Sequence, residues 1–586
     1  MRKTSFIPFF LFVSGLAIAF AAIFANALGL DERPGWGRVR IAVLIFSVLL
    51  VALSAFYLFY ADKVNSAAQG VQALIERNPI VSRTRGNQNF IYLARIFKSY
   101  RFAFPFSILV VMVYVWLISS GAWVNWVSPT HYYADLARGF QKGNLFVPSK
   151  PEPGLLNLPD PYDPLARAQA GIKAPIDISY YNGKYYLYWG PVPSLLLVAV
   201  YPFYHGRVGD LQLVFAFVCG IFLIHFFLLI AIWDRFFNAL PKWTLSVSIL
   251  LVGLSGPVAF MLNNFFYARI YEAAIFGGQF FLMGGFAIAL LFLNKPSFWK
   301  LALAGVLWAL SIGTRQTLSL PIGFMALTLA YRILRDDKTF FQKFASAAIL
   351  TTPIIVGFAC LGWYNWARFG SVVESGLYYQ INTGFVHYNA DELIGFRYIP
   401  QNLYNYLLAP FGFAPQFPFL VPEIGNSEEV FFLRPLSPSI YKSQHITGLL
   451  YMVPFAMFAF APSALLFLNP FKGKSTQTPI DGGERRVLSW IITTLSGSSL
   501  VAFGFLLTFF WAAMRYIEDF IPSLILLSVI GFWQGYALLL QKNIPSRLYA
   551  AFGFVLASAS VVISVLLGVS MNDARFAFIR LFSFLQ

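Results

Sequence analysis

The chain is punctuated by apolar runs about twenty residues long, and a run of that length, coiled as a helix, crosses roughly 30 Å of hydrocarbon. Such runs fall near 6–28, 41–60, 104–126, 210–233, 243–262, 272–294, 300–314, 317–334, 345–363, 447–468, 488–511, 519–540 and 548–570. The run 300–314 is short, and 191–204 is only semi-apolar and is left out, so the chain reads as an all-α polytopic membrane protein with about thirteen transmembrane helices. Composition agrees: 58% of residues are hydrophobic and 11% charged, with a mean hydropathy of +0.66. A soluble domain carries about 25% charged residues.

A net charge of +17 would suit a nucleic-acid partner. The excess Lys and Arg instead sit between apolar runs, as expected of cytoplasmic loops in a membrane protein, so no nucleic acid is expected. Residues 61–103 hold Lys63, Arg77, Arg83, Arg85, Arg95, Lys98 and Arg101 against Asp62 and Glu76. Further basic loops carry Arg332, Arg335, Lys338 and Lys343, then Lys472, Lys474, Arg485 and Arg486, then Lys542 and Arg547. Alternation through the spans places all four on one side, with the N-terminus cytoplasmic. The first run follows Met1-Arg2-Lys3 and extends past signal length without an A-x-A site, so it reads as a retained helix.

Two long loops, about 127–209 and 364–446, then fall outside. Both are rich in Tyr, Phe and Pro. The second carries Arg368, Arg397, Arg434 and Lys442 against Glu374, Asp391, Glu392, Glu423, Glu428 and Glu429, which is no basic excess. Long ordered loops in a compact protein are commonly functional. Cys219 and Cys360 both lie inside apolar runs, and the five histidines have no metal-ligand spacing, so neither a disulfide framework nor a structural zinc is expected. No internal repeat or matched pair of broken spans points to an inverted-repeat transporter.

Charged and aromatic constellations concentrate on the outer face. In the first loop, Thr130 can N-cap a short amphipathic helix with Tyr133, Leu136, Ala137 and Phe140 on one side and Gly143 as its stop. Asp135 and Arg138 project from its polar side, either as an i,i+3 ion pair or as a carboxylate at a cavity mouth. Asp160 and Asp163 follow, then Asp177, with Asn182-Gly183 reading as a hairpin turn between alternating aromatics. Asp177 and Lys184 with Tyr185, Tyr186 and Trp189 can hold and stack a sugar, or form an interfacial aromatic belt. Gly190-Pro-Val-Pro193 argues for a re-entrant or peripheral helix.

Three clusters stand at outer span ends: Arg269-Ile-Tyr-Glu272, Thr314-Arg315-Gln316, and Arg515-Tyr516-Ile-Glu518-Asp519. Ionisable groups at such depth pair with one another or line a wet cavity. Structural pairing, such as Arg515 with Asp519, is one reading. Bidentate binding of a lipid-linked phosphate is the other. Arg368 and Glu374 follow another span end, as anchors or as part of the same site.

Taken together, the chain from about residue 104 resembles the GT-C class of membrane glycosyltransferases, which includes the protein O-mannosyltransferases and the lipid A aminoarabinose transferase. Residues 1–103 read as a two-helix N-terminal addition. The resemblance rests on Tyr133-Ala-Asp-Leu-Ala-Arg138 with Gly143, on Tyr181 to Pro193, on Leu307-Trp-Ala-Leu-Ser-Ile-Gly-Thr-Arg315, and on Arg515-Tyr516 with Pro522. Tyr-Asn-x-x-Arg-Phe-Gly and Arg-Tyr-x-x-Asp-Phe-x-Pro resemble an uncharacterised bacterial subgroup. It departs in one place: Val127-Ser-Pro-Thr-His131 has no carboxylate where the class usually has Asp.

The resemblance implies a multi-pass protein of the bacterial plasma (inner) membrane, a polyprenyl-phosphate-linked sugar as donor and a cell-envelope acceptor. Asp135, then Asp177, would be the general base. Arg269, Arg315, Arg515 and Tyr516 would bind the donor phosphate, and Lys184, Tyr185, Tyr186, Trp189, Glu272, Arg368 and Glu374 the sugar or acceptor. No cofactor is demanded; loop Asp pairs can hold a divalent metal. A lipid-linked glycan flippase and an inactive glycolipid-binding scaffold are the rival expectations.

Overall fold

Seven helices among the described residues are long and apolar enough to cross a bilayer, which makes the chain a membrane-embedded, multi-pass protein. The computed structural model describes residues 100–570 except 122, 124–125, 127, 176, 205, 264–268, 336–338, 382–384, 416, 426–437, 463–481 and 543–544, together with 15, 18–19, 21–23, 37, 40–48 and 51. The expected basic loop 61–103 lies outside them except for its last four residues, as do most of the expected spans 6–28 and 41–60; residues 40–48 are helical. The chain divides into two compact units, one of residues 1–108, 119–125 and 572–586, the other of 109–118 and 126–571. The second unit holds what is described below, apart from residues 104–108 at the start of the first helix.

Its helices are α1 (Phe104–Ile118), α2 (Tyr132–Gln141), α3 (Val192–Val200), α4 (Asp210–Ile232), α5 (Lys242–Leu254), α6 (Val258–Asn263), α7 (Ile270–Asn294), α8 (Phe298–Ile312), α9 (Ser319–Leu334), α10 (Phe340–Phe369), α11 (Ile399–Leu407), α12 (Gly482–Leu507), α13 (Ile521–Gln541) and α14 (Arg547–Ser570), with shorter turns between them. The long spans are α4, α7, α9, α10, α12, α13 and α14. Two expected spans are shorter or broken: α1 is a short apolar helix, and 243–262 divides into α5 and α6, while α8 is short as the run 300–314 suggests. The break has a local cause. Pro257 brings no amide proton, and Gly256 sits at φ +86° with its amide donating to Ser564 Oγ at 2.9 Å. The start of 447–468 is a short α-turn at Leu449–Met452 followed by a 3-10 turn at Pro454–Ala459.

α7 is the most buried span and packs against α4 on one side and α8 on the other. Small residues permit that approach: a Cβ on Gly285 would collide with the Trp308 ring of α8. α10 runs longer than the apolar pattern suggests. Thr339 and Gln342 form a capping box at its start, and Gly370 ends it at φ +73°. Tyr364 to Phe369 therefore belong to the last turns of a helix rather than to the second loop.

Small strands build the loops. β1 (Ser179–Tyr181) and β2 (Lys184–Tyr186) form an antiparallel hairpin around Asn182 and Gly183, at φ +46° and +71°, as that dipeptide predicts. β3 (Phe411–Phe413), β4 (Leu420–Ile424) and a short partner at His445–Ile446 make a three-stranded sheet. The two long loops are joined directly. Tyr180 N donates to Tyr379 O at 2.9 Å, Ile381 N to Ile178 O at 3.1 Å, and Ser179 Oγ to Gly376 O at 2.7 Å.

α2 forms where expected but is capped differently. Its first amides, Tyr132 N and Tyr133 N, donate to the Asp210 carboxylate at 3.0 and 3.1 Å, so the cap is the first residue of α4 and not Thr130. Asp210 is fully buried there. The apolar side of α2 turns inward through Tyr133, Leu136 and Ala137.

Candidate functional site

The joined loops and three span ends meet around Asp177. This residue sits at φ +57° just before β1, where a non-glycine backbone is strained, and its side chain is buried. Its Oδ1 accepts from Tyr271 Oη at 2.7 Å and from Gln380 Nε2 at 3.3 Å. Tyr188 closes the ring: its hydroxyl donates to Tyr271 Oη at 2.8 Å and accepts from Gln380 Nε2 at 3.1 Å. Tyr271 comes from the first turn of α7, Tyr188 from the segment after β2, and Gln380 from the second loop.

Arg515 also contacts Tyr271, at the face of its ring. Its guanidinium stands 4.4 Å from the centre of that ring and 5.4 Å from that of Tyr516. One tyrosine thus touches both a buried carboxylate and a buried guanidinium. Burial works against the arginine's charge, but Tyr516, Tyr271, Glu272 and Asp177 around it raise its pKa above the ordinary range. Its Nε is buried without a hydrogen-bond partner.

Arg315 is the second guanidinium here. Its Nε and Nη2 each reach an oxygen of Asp519 at 2.6 Å, with both side chains 2% exposed. The remaining Nη1 is buried and unpartnered. Arg315 also lies 5.4 Å from the Trp189 ring and 5.7 Å from that of Tyr516. Trp189 Nε1 is a third buried donor without a partner. Three unsatisfied N–H groups around Tyr271, Trp189 and Tyr516 are donors only, so what they can donate to is an anion or a neutral oxygen. Leaving such groups empty costs about 1–3 kcal/mol each.

An apolar cavity of about 630 Å³ is bounded by Pro191 and Gly313, each two residues along the chain from Trp189 and Arg315, and its lining includes none of the side chains of the cluster. Its walls include Pro191, Val192, Gly313, Val356, Leu361 and Tyr364, drawn from α3, α8 and α10 and the turns at their ends. Val192 N donates to Gly313 O at 3.2 Å, next to Trp189-Gly190 on one strand of chain and Thr314-Arg315 on the other. Gly190 is required at this crossing, because a Cβ would collide with the Gly313 carbonyl.

Other candidates are placed elsewhere or committed to structure. Asp135 holds Arg207, not Arg138, in a two-oxygen pair at 2.9 Å whose side chains are 26% and 49% exposed. Asp163 caps a short helix by accepting from Leu165 N at 2.8 Å. Arg269 donates to Met261 O and Leu262 O at 2.8 and 2.6 Å, closing the end of α6. Glu272 is buried on α7 and acts electrostatically on Arg269 and Arg515. Arg368 is held by the carbonyls of Tyr364, Leu187 and Ser375 and by Asn365 Oδ1. Glu374 accepts from Gly376 N at 2.5 Å.

The expected sugar platform changes most. Tyr185 and Tyr186 are buried, Tyr185 against Tyr180 and Tyr186 between Phe146 and Phe369, so neither offers an open ring face. Lys184 is exposed with its Nζ over Phe146 at 4.6 Å. The side chains that do surround Asp177 and were not singled out are Tyr188, Tyr271 and Gln380. No group of three or more His, Cys, Asp or Glu among the described residues has the geometry to hold a metal ion. No protein-family model, curated protein or solved structure matches the chain.

Proposed function

We propose that the protein is a membrane glycosyltransferase that moves a sugar from a polyprenyl-phosphate donor to an extracytoplasmic acceptor. The observation that carries this reading is the contact of Asp177 and Arg515 with the same Tyr271, together with two further buried donors without partners, on Arg315 and Trp189. The apolar cavity bounded by Pro191 and Gly313, close in sequence to Trp189 and Arg315, suits the prenyl chain of such a donor.

The chemistry follows from the charges. Asp177 takes the proton of an acceptor hydroxyl as its oxygen bonds to the anomeric carbon. The bond from that carbon to the phosphate oxygen breaks on the opposite face, with inversion. The electron pair leaves with the polyprenyl phosphate, whose charge is met by Arg515 and by the open donors of Arg315 and Trp189. Tyr271 and Gln380 hold the Asp177 carboxylate in place.

The test is transfer by the full chain in lipid nanodiscs, using a polyprenyl-phosphate sugar and a hydroxyl acceptor from the cell envelope. Asp177→Asn should lower the rate by about 10²–10⁴-fold without loss of folded protein, the range for removing a general base. Arg515→Gln should weaken both donor binding and turnover. Full activity in Asp177→Asn overturns the assignment. Movement of intact donor across the bilayer without sugar transfer would support a flippase instead.

A further inference from the structure

The second loop contains a long stretch without charge. From Tyr398 to Pro422 there is no Asp, Glu, Lys, Arg or His, although Arg397 and Glu423 bound it directly. This stretch makes α11, β3 and the first three residues of β4, which Glu423 and Ile424 complete. Its tip presents Phe413, 82% exposed, and Phe419, 45% exposed. The exposed surface continues onto the neighbouring turn through Leu450 and Tyr451, where Tyr451 packs edge-on to Phe411 at 6.1 Å. Gly448 N donates to Ala409 O at 2.7 Å and ties that turn to the hairpin base. An exposed apolar patch of this kind marks a site that something else covers.

What covers it is indicated by its neighbours. β4 packs against α14, a membrane span whose outward side chains, among them Phe554, Val555 and Val562, are exposed and apolar. The hairpin therefore flanks a helix that itself faces lipid. Between Arg397 and Glu423 the stretch is uncharged and its exposed tip is aromatic, which suits the boundary between headgroups and acyl chains.

We propose that the β3–β4 hairpin is a membrane-dipping element, with Phe413 and Phe419 inserted into the lipid leaflet on the side of the two long loops. It anchors the second loop, and through Gln380 the Asp177 network, to the bilayer surface. This goes beyond the proposed transfer reaction and does not depend on it.

The test uses the full chain in lipid nanodiscs with Cys219 and Cys360 replaced by alanine. Single cysteines at Phe413→Cys, Phe419→Cys, Leu165→Cys and Leu327→Cys carry a nitroxide. Leu165 and Leu327 are each 71% exposed, the first on a loop helix and the second on the span α9, so they serve as water and lipid references. Collisions with oxygen, which concentrates in lipid, and with a water-soluble nickel complex are compared. The label at 413 and at 419 should follow 327, with oxygen collisions favoured severalfold over those at 165. Nickel accessibility equal to that at 165 overturns the proposal. Shielding from both reagents also overturns it, since a protein partner or second copy would then be the cover. Melting of each labelled protein beside the parent checks that the fold is kept, and two positions keep the readout independent of either one.

Discussion

Arg315 grips both oxygens of Asp519 at 2.6 Å with both side chains shut away from solvent, which ties the end of α8 to the turn before α13. Thr317 Oγ1 at 3.3 Å adds to the same carboxylate, and Gln279 Nε2 donates to the Asp519 carbonyl at 2.8 Å. Asp519→Ala should therefore destabilise the protein by about 3–5 kcal/mol, because it strands a buried guanidinium. Thermal unfolding in nanodiscs reads this directly. The double variant Arg315→Met with Asp519→Leu should regain much of the loss in stability while losing activity, since Arg315 also supplies an open donor to the site.

Asp135 makes the opposite prediction. Its partner Arg207 is half exposed, and pairs in that setting contribute about 0–1 kcal/mol. Asp135→Asn should leave stability within about 1 kcal/mol of the parent and leave transfer unchanged. A loss of activity comparable to that of Asp177→Asn would return Asp135 to the catalytic role that sequence position suggested.

The contrast between Asp135 and Asp177 shows what sequence can carry. Both are carboxylates in an aromatic loop, and nothing local ranks one above the other. Asp177 is distinguished by Tyr271 and Gln380, which arrive from α7 and from the second loop. Those partners are more than ninety residues away in sequence at least. The long spans were legible because a sustained apolar length suffices to mark them. The Asn182-Gly183 hairpin was legible because the turn needs that dipeptide. The break at Gly256-Pro257 was written in the same residues but masked by uniform hydropathy. The pairing of Asp519 with Arg315, and not with its near neighbour Arg515, depends on how α8 lies against the turn before α13, and no local pattern encodes that.

Gly190 offers a test of how Trp189 is placed. The backbone there crosses Gly313 so closely that a Cβ would collide with the carbonyl and lie 2.9 Å from Thr314 O. Gly190→Ala should push α3 from the end of α8, at a cost of about 1–3 kcal/mol. The Trp189–Arg315 contact should open with it, so tryptophan emission and donor binding should change together. A variant with unchanged melting and unchanged donor binding would show that the crossing tolerates movement.

Glu518 gives a prediction in pH. It is 2% exposed, and burial, followed by the neighbouring Asp519 charge, raises its pKa well above the usual carboxylate value. Neutral Glu518 is thus the form that the fold accepts. An acid whose pKa rises on folding stabilises the folded state fully below its unfolded pKa, near 4.5. That contribution is lost progressively as pH climbs from there through the folded value. Glu518→Gln keeps the neutral shape and removes the titration, so its melting temperature should exceed the parent's by an amount that grows with pH over this window. Melting curves across the window check the sign. Parallel curves for the two proteins would mean that Glu518 ionises in the folded state as readily as in water.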